Sequence, residues 1–334
     1  MILRCLGGLA ALLLTACAAR APAPPAAASE ASVKAHVDAA TAAAGNDLGA
    51  LLVLCKPAPA NKPPQEVADR AIAGLIGQPA PPPGQAFDNL YYIGAKWVSA
   101  WALTTSDGIV LIDALNNDTE AAGLIVGGLN KLGLDPAQIR EVIVTHGHGD
   151  HYGGANFLVQ RVHPRIAMSD IDWTMTETQL EFATPLWGAP PRRDVSLKDG
   201  DRVTVGNGTV QVVLTPGHTK GTISLLFDVT SKGARHRVLL WGGTAFNFGR
   251  DLGRLDSYIA STEKLKRLVA EQKVDVLLSN HSGYDEAIEK IERQRRQGSL
   301  EPNPFVIGTP AVQRALTVMG ECARAQRDRF VISG

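Results

Sequence analysis

From residue 87 onward, short apolar runs bounded by turn signals alternate with longer amphipathic stretches, a texture that the first 86 residues lack. The runs at 91–93, 98–104 and 109–112 predict neighbouring strands, with Ser106-Asp107-Gly108 as a hairpin turn. A helix is predicted over 121–132, then a buried strand at 141–145, a helix over 154–161 and a strand at 165–168. A less regular stretch containing Trp173 and Trp187 follows. Strands resume at 202–205, 209–214, 222–228 and 237–241, and the pattern ends with helix 256–271, strand 274–278, helix 285–297 and a last helix over 309–330. Strands from both halves with helices between them predict an α/β protein of two sheets packed face to face beneath outer helices.

The N-terminal part reads differently. Residues 1–20 begin with Arg4 and run uncharged from Cys5 to Ala19, fifteen residues that fall short of the ~20 a membrane-spanning helix needs and end in small side chains. This is the pattern of a cleaved export signal. Leu14-Thr15-Ala16-Cys17 resembles the bacterial lipobox, which implies that Cys17 becomes the mature N-terminus and carries acyl chains in a bacterial membrane, on its periplasmic or extracellular face. Residues 17–30 are an Ala/Pro-rich tether, and 31–86 form a helical extension with helices over 31–44 and 65–76 around the apolar run 48–54. The remaining domain is 87–334. Export also bears on Cys55 and Cys322: once Cys5 is removed and Cys17 lipidated, two thiols in an oxidising compartment predict a disulfide, the alternative being two separate buried thiols.

The 334 residues are 45% hydrophobic, enough for a sizeable buried core. Lys+Arg and Asp+Glu both number 33, and no basic stripe runs along the chain, so nucleic acid is excluded as a partner. The expected partner is a small molecule.

Chemistry concentrates in Thr145-His146-Gly147-His148-Gly149-Asp150-His151-Tyr152-Gly153-Gly154. His146 and His148 are two apart at the end of a predicted strand and so point the same way, and Asp150 and His151 lie in the loop beyond. The glycines are expected to let that loop fold tightly through backbone angles other residues avoid. Neutral imidazoles with a carboxylate are zinc ligands. Two more histidines follow strands: His218 in Thr215-Pro216-Gly217-His218-Thr219 and His281 in Ser279-Asn280-His281-Ser282-Gly283.

This combination, spread over residues 91–289, resembles the metallo-β-lactamase superfamily of zinc hydrolases. The resemblance implies an αββα sandwich over 87–334 with two Zn2+ ions per chain. His146, His148 and His218 would hold one, and Asp150, His151 and His281 the other. Asp113 matches an aspartate close to the metals that does not ligate them. Hydrolytic branches of the glyoxalase II and phosphodiesterase type carry an aspartate bridging both metals in a Gly-Asp step; here Trp241-Gly242-Gly243-Thr244 places a threonine there. Zinc β-lactamases also lack that bridge, and the subclass with a three-His site and an Asp-His-His site matches this set. The subclass with a cysteine ligand is excluded, since no cysteine lies near Gly243. Two zinc ions with one carboxylate and one hydroxide sum to about +2, against about +1 with a bridging aspartate, which favours an anionic substrate with a carboxylate beside its scissile carbonyl.

The resemblance therefore implies attack of a metal-bound hydroxide on a carbonyl, with β-lactam hydrolysis foremost and Asp150 as a catalytic group as well as a ligand. A lactonase or thioesterase on the same site and a non-catalytic metal-binding lipoprotein are the alternatives. Tyr152, Thr244 and Asn247 are candidate substrate contacts. His36, His163 and His236 are read as structural or solvated, and Trp173 and Trp187 as packing residues or groove walls.

Overall fold

The computed structural model describes residues 27–298 and 302–334, so the predicted signal and the lipidation site Cys17 lie outside the described residues. In chain order the elements are α1 (Glu30–Ala44), a 3-10 helix (Gly49–Cys55), α2 (Gln65–Ile76), β1 (Gly84–Phe87), β2 (Leu90–Tyr92), β3 (Trp101–Thr105), β4 (Gly108–Ile112), α3 (Asp118–Glu120), a π-helical turn (Ala121–Val126) and α4 (Gly127–Lys131). Then come β5 (Ile139–Ile143), α5 (Gly149–Tyr152), α6 (Ala155–Val162), β6 (Arg165–Ser169), α7 (Asp170–Thr178), β7 (Val195–Leu197), β8 (Arg202–Val205), β9 (Gly208–Leu214), β10 (Ile223–Ser231) and β11 (Ala234–Trp241). The chain closes with α8 (Leu252–Gln272), β12 (Val276–Ser279), α9 (Ser282–Asp285), α10 (Ala287–Gln297) and α11 (Thr309–Ile332).

The strands form two mixed sheets, β1-β2-β3-β4-β5-β6-β7 and β12-β11-β10-β9-β8. The first is antiparallel as far as β4 and parallel from β4 to β7; the second is antiparallel except for the parallel β11–β12 pair. Strand periodicity explains the three apolar clusters. Trp101, Leu103, Val110 and Ile112 meet Val212, Leu225, Phe227 and Leu240 between the sheets. Their chain neighbours point the other way: Ala102, Ile109 and Leu111 under the first helical layer, Leu226, Leu239 and Trp241 under the second. The central strands are covered on both faces and so read as continuous apolar runs, whereas the edge strand β8 alternates. The architecture is the expected αββα sandwich.

Several details depart from the pattern-based expectation. The strand expected at 98–104 begins at Trp101, because residues 94–100 instead run along the sandwich edge, with Ser99 N–H bonded to Asn280 O at 2.9 Å. The stretch read as irregular holds α7, whose Ser169 cap accepts from Asp172 N, and the edge strand β7. The sheet also starts earlier than the expected boundary at 87, since Gly84 pairs with Tyr92. Part of the predicted extension belongs to the main body: Ala40, Ala44, Leu51 and Leu54 pack with Leu316 and Met319 of α11. Cys55 and Cys322 are joined by a disulfide that ties the 3-10 helix to α11.

Candidate metal centre

His146, His218 and His281 each follow a strand, β5, β9 and β12, and His148 stands at the N-cap of α5. Nε2 of His146, Nδ1 of His148 and Nε2 of His218 lie 3.0–3.1 Å from one another. The outward nitrogens are already engaged. His146 Nδ1 is 2.7 Å from Gly242 O, His218 Nδ1 is 2.8 Å from Ala245 O, and His148 Nε2 is 3.4 Å from Glu181 Oε2. These partners are acceptors, so the ring protons sit on the outer nitrogens and the inner three present bare lone pairs. Three lone pairs at this separation repel unless a cation lies among them. Burial, together with the neighbouring histidines, holds His146 well below the ordinary histidine range, and burial does the same to His218. Neutral imidazole is the ligand form.

Beside this cage, Asp150 Oδ2 lies 3.3 Å from His151 Nε2 and 3.7 Å from His281 Nε2. Ligand atoms of His146, Asp150 and His151 all fall within 4.8 Å of one another, so the two groups adjoin. His151 Nδ1 donates to Asp113 Oδ2 at 2.8 Å and His281 Nδ1 to Trp97 O at 2.9 Å, which turns both Nε2 atoms inward. His151 Nε2 is buried without a hydrogen-bond partner. Burial works against charge on His151, but the Asp150 and Asp113 carboxylates outweigh it and push the group up to about 10. Burial and His151 pull His281 down to about 4. Burial would favour neutral Asp150, yet the surrounding histidines hold it below the usual carboxylate range. The position is built for a cation on His151 Nε2. Both donor sets fit zinc: three nitrogens in one, two nitrogens and a carboxylate in the other.

The supporting residues fix this geometry. Asp113, at φ 63°, accepts from Thr145 N, Thr145 Oγ1 and His151 Nδ1 at 2.7, 2.9 and 2.8 Å. A left-handed backbone at a fully buried aspartate is strain of the kind that functional sites retain. Asp172 accepts from Gly147 N and Thr219 Oγ1 on one oxygen and from Gly221 N on the other, tying the two histidine loops together. Glu181 is gripped by Arg254, which also donates to Gly217 O at 2.8 Å. Asp172 and Glu181 escaped sequence reading because both fall in the stretch that looked irregular; the cap signal of Ser169 was the one local clue to the helix that carries Asp172.

The glycines of the loop act through space and not through unusual angles. None of Gly147, Gly149, Gly153 and Gly154 takes a positive φ. A Cβ on Gly153 would stand 1.9 Å from Asn116 O, and one on Gly149 would stand 2.5 Å from the Trp187 ring.

A groove of about 690 Å³ opens onto the centre, reaching His148, Asp150, His218 and His281. Asn247 and Trp187 line it. Tyr152 does not: it is buried among the helices behind the site, so its expected contact with substrate is corrected. Thr244 is likewise buried and its Oγ1 lies 3.3 Å from Ser279 Oγ. Trp173 is a packing residue whose Nε1 donates to Val195 O. His36 and His236 pair with Glu321 and Asp275, and His163 ends α6 in a left-handed conformation, all away from the centre.

Two mixed sheets between helical layers, with a three-histidine cage and an adjoining Asp-His-His group at one edge, define a two-site metallohydrolase-type centre. The chain belongs to the metallo-beta-lactamase superfamily, whose family model matches residues 95–281. Among solved structures it is similar to the FEZ-1 metallo-beta-lactamase from Legionella gormanii, at 22% identity and TM-score 0.64, over 77% of this chain and 97% of that one. It is also similar to BJP-1, a subclass B3 metallo-beta-lactamase of Bradyrhizobium japonicum, at 26% identity and TM-score 0.60, over 73% and 92%. Among curated sequences, a hydroxyacylglutathione hydrolase of Methylococcus capsulatus is 26% identical over 226 residues, 57% of this chain and 75% of the relative. One from Rhodopseudomonas palustris is 31% identical over 133 residues, 40% of this chain and less than half, 43%, of the relative.

Proposed function

We propose that the protein is an exported, lipid-anchored di-zinc hydrolase that opens the cyclic amide of β-lactams. The observation that carries this reading is the composition of the centre: Asp150 is the one carboxylate in either ligand group, and the residue at the bridging position, Thr244, turns to Ser279. A centre with so little negative charge favours a substrate whose carboxylate stands next to the scissile carbonyl, as in a β-lactam. Lys96 and Asn247 on the groove wall supply donors for that carboxylate. Zinc, when bound, supplies a water of lowered pKa and a Lewis acid for the carbonyl oxygen. Asp150, which faces the groove beside His151 and His281, is placed to orient the attacking water as well as to hold metal.

A second reading is supported by the curated relatives named hydroxyacylglutathione hydrolase: the same centre would attack a thioester or lactone. A panel on zinc-loaded protein separates the two. A chromogenic cephalosporin, an acyl lactone and an acyl thioester are compared with His146→Ala as control. Cephalosporin turnover that falls more than about 100-fold in His146→Ala is the expected result, since even residues that only support a metal ligand cost 10–100-fold. Turnover of the lactone or thioester without the cephalosporin refutes the β-lactam reading, and mutant rates equal to the parent's refute metal catalysis.

A further inference from the structure

The groove over the metal centre has one wall from outside the family-matched region. Helix α2 buries none of its side chains in the core, yet Ala68, Ala71, Ile72 and Leu75, at i, i+3, i+4 and i+7, form one apolar stripe. All four line the groove. The stripe therefore faces the space above the metal ligands. Phe182, Trp187, Ile288 and Val53 add further apolar lining.

The α2 segment is held in place by polar contacts at its edges. Lys62 Nζ donates to Glu181 O at 3.0 Å and stands 4.1 Å from the centre of the Phe182 ring. Gln65 Nε2 donates to Ala183 O at 2.6 Å, and Arg250 N to Ala60 O at 2.7 Å. Phe182 in turn packs edge-on against His148, ring centres 5.0 Å apart. The apolar wall is thus registered against the metal cage through one loop, 181–183, and the disulfide at Cys55 ties the same approach to α11.

A wall this apolar has no use for a small polar acyl group. We infer that the groove is an acyl-chain site: the substrate hydrolysed at the metal centre carries an unbranched apolar chain that lies along α2, with Ile72 and Leu75 setting its preferred length. The inference rests on the hydrolase reading for where the reacting carbonyl sits, but it holds for a cyclic amide, a lactone or a thioester alike.

The test separates binding from turnover. Alkanohydroxamates of two to ten carbons share one zinc-binding head, so the dependence of Kd on chain length reads the groove alone. Calorimetric titration of zinc-loaded protein is expected to show Kd falling about three- to fourfold per methylene until the groove is filled. In Ile72→Ser/Leu75→Ser the slope should drop below about twofold, while Ala73→Ser, exposed and on the side of α2 opposite the stripe, should keep the parental slope. Neither position is part of the core, and a thermal melt verifies that each variant is folded. A flat slope in the parent, or a parental slope in Ile72→Ser/Leu75→Ser, overturns the inference. The same chain series on a β-lactam and on a lactone nucleus reports kcat/KM: chain-dependent binding with no turnover supports the chain site and sinks the hydrolase reading, whereas turnover indifferent to chain length does the reverse.

Discussion

Asp113→Asn tests the logic of the second metal group at a single oxygen. Asp113 is fully buried and accepts three hydrogen bonds. Thr145 N cannot reverse its role, and Thr145 Oγ1 already accepts from Asn280 Nδ2 at 3.0 Å, so its own hydrogen points at Asp113. An asparagine must therefore set its NH2 against a donor. The one partner that can yield is His151, by moving its proton from Nδ1 to Nε2. That nitrogen then has no lone pair for a metal. The left-handed backbone at 113 is tolerated by asparagine, so the substitution adds no conformational strain. Loss of such a supporting carboxylate weakens metal binding about 10–100-fold, which is about 1.4–2.7 kcal/mol. The cage of His146, His148 and His218 keeps its own acceptors, Gly242 O, Glu181 and Ala245 O, and should bind as before. Competitive titration against a chromophoric chelator is expected to show one ion held with parental affinity and a second held 10–100-fold more weakly. Two ions bound with parental affinity would falsify the tautomer argument.

Other outcomes follow from the same geometry. Chelation should lower the melting temperature, because a metal held by the cage would stabilise the native state alone; at free metal 1,000 times Kd the linkage is about 4 kcal/mol, and identical melts with and without chelator would count against a metal centre. Removing the Cys55–Cys322 bridge, which closes a loop of 267 residues, should destabilise the fold. Chain entropy sets a ceiling of roughly 5–6 kcal/mol, with about 2–4 typical of measured bridges. Urea unfolding of Cys55→Ala/Cys322→Ala measures it, and an unchanged midpoint refutes that contribution.

Much of the centre was legible because its ligands follow strands. An apolar run such as Val142-Ile143-Val144 must be buried, and what comes next at a strand end must emerge at the sheet edge, so the sequence itself marks His146, His218 and His281 as neighbours. The ligand spacing and the threonine at 244 were equally local. Asp172 and Glu181 carried no such mark, since each acts on a loop far away in sequence: Asp172 on Gly147 and Gly221, Glu181 on His148 and Arg254. The loop glycines were read for the wrong reason, because backbone flexibility is a property of the residue whereas the crowding at Gly153 by Asn116 O belongs to the packed fold.

By itself the sequence determined the two-sheet sandwich and the six candidate ligands, because strand periodicity and ligand chemistry are written within a few residues of one another. Only the tertiary structure decided which nitrogen of each histidine faces inward, that Tyr152 and Thr244 are turned away, and that α2 roofs the groove. Those properties depend on acceptors and walls supplied by elements tens to hundreds of residues apart, and no local pattern encodes such distances.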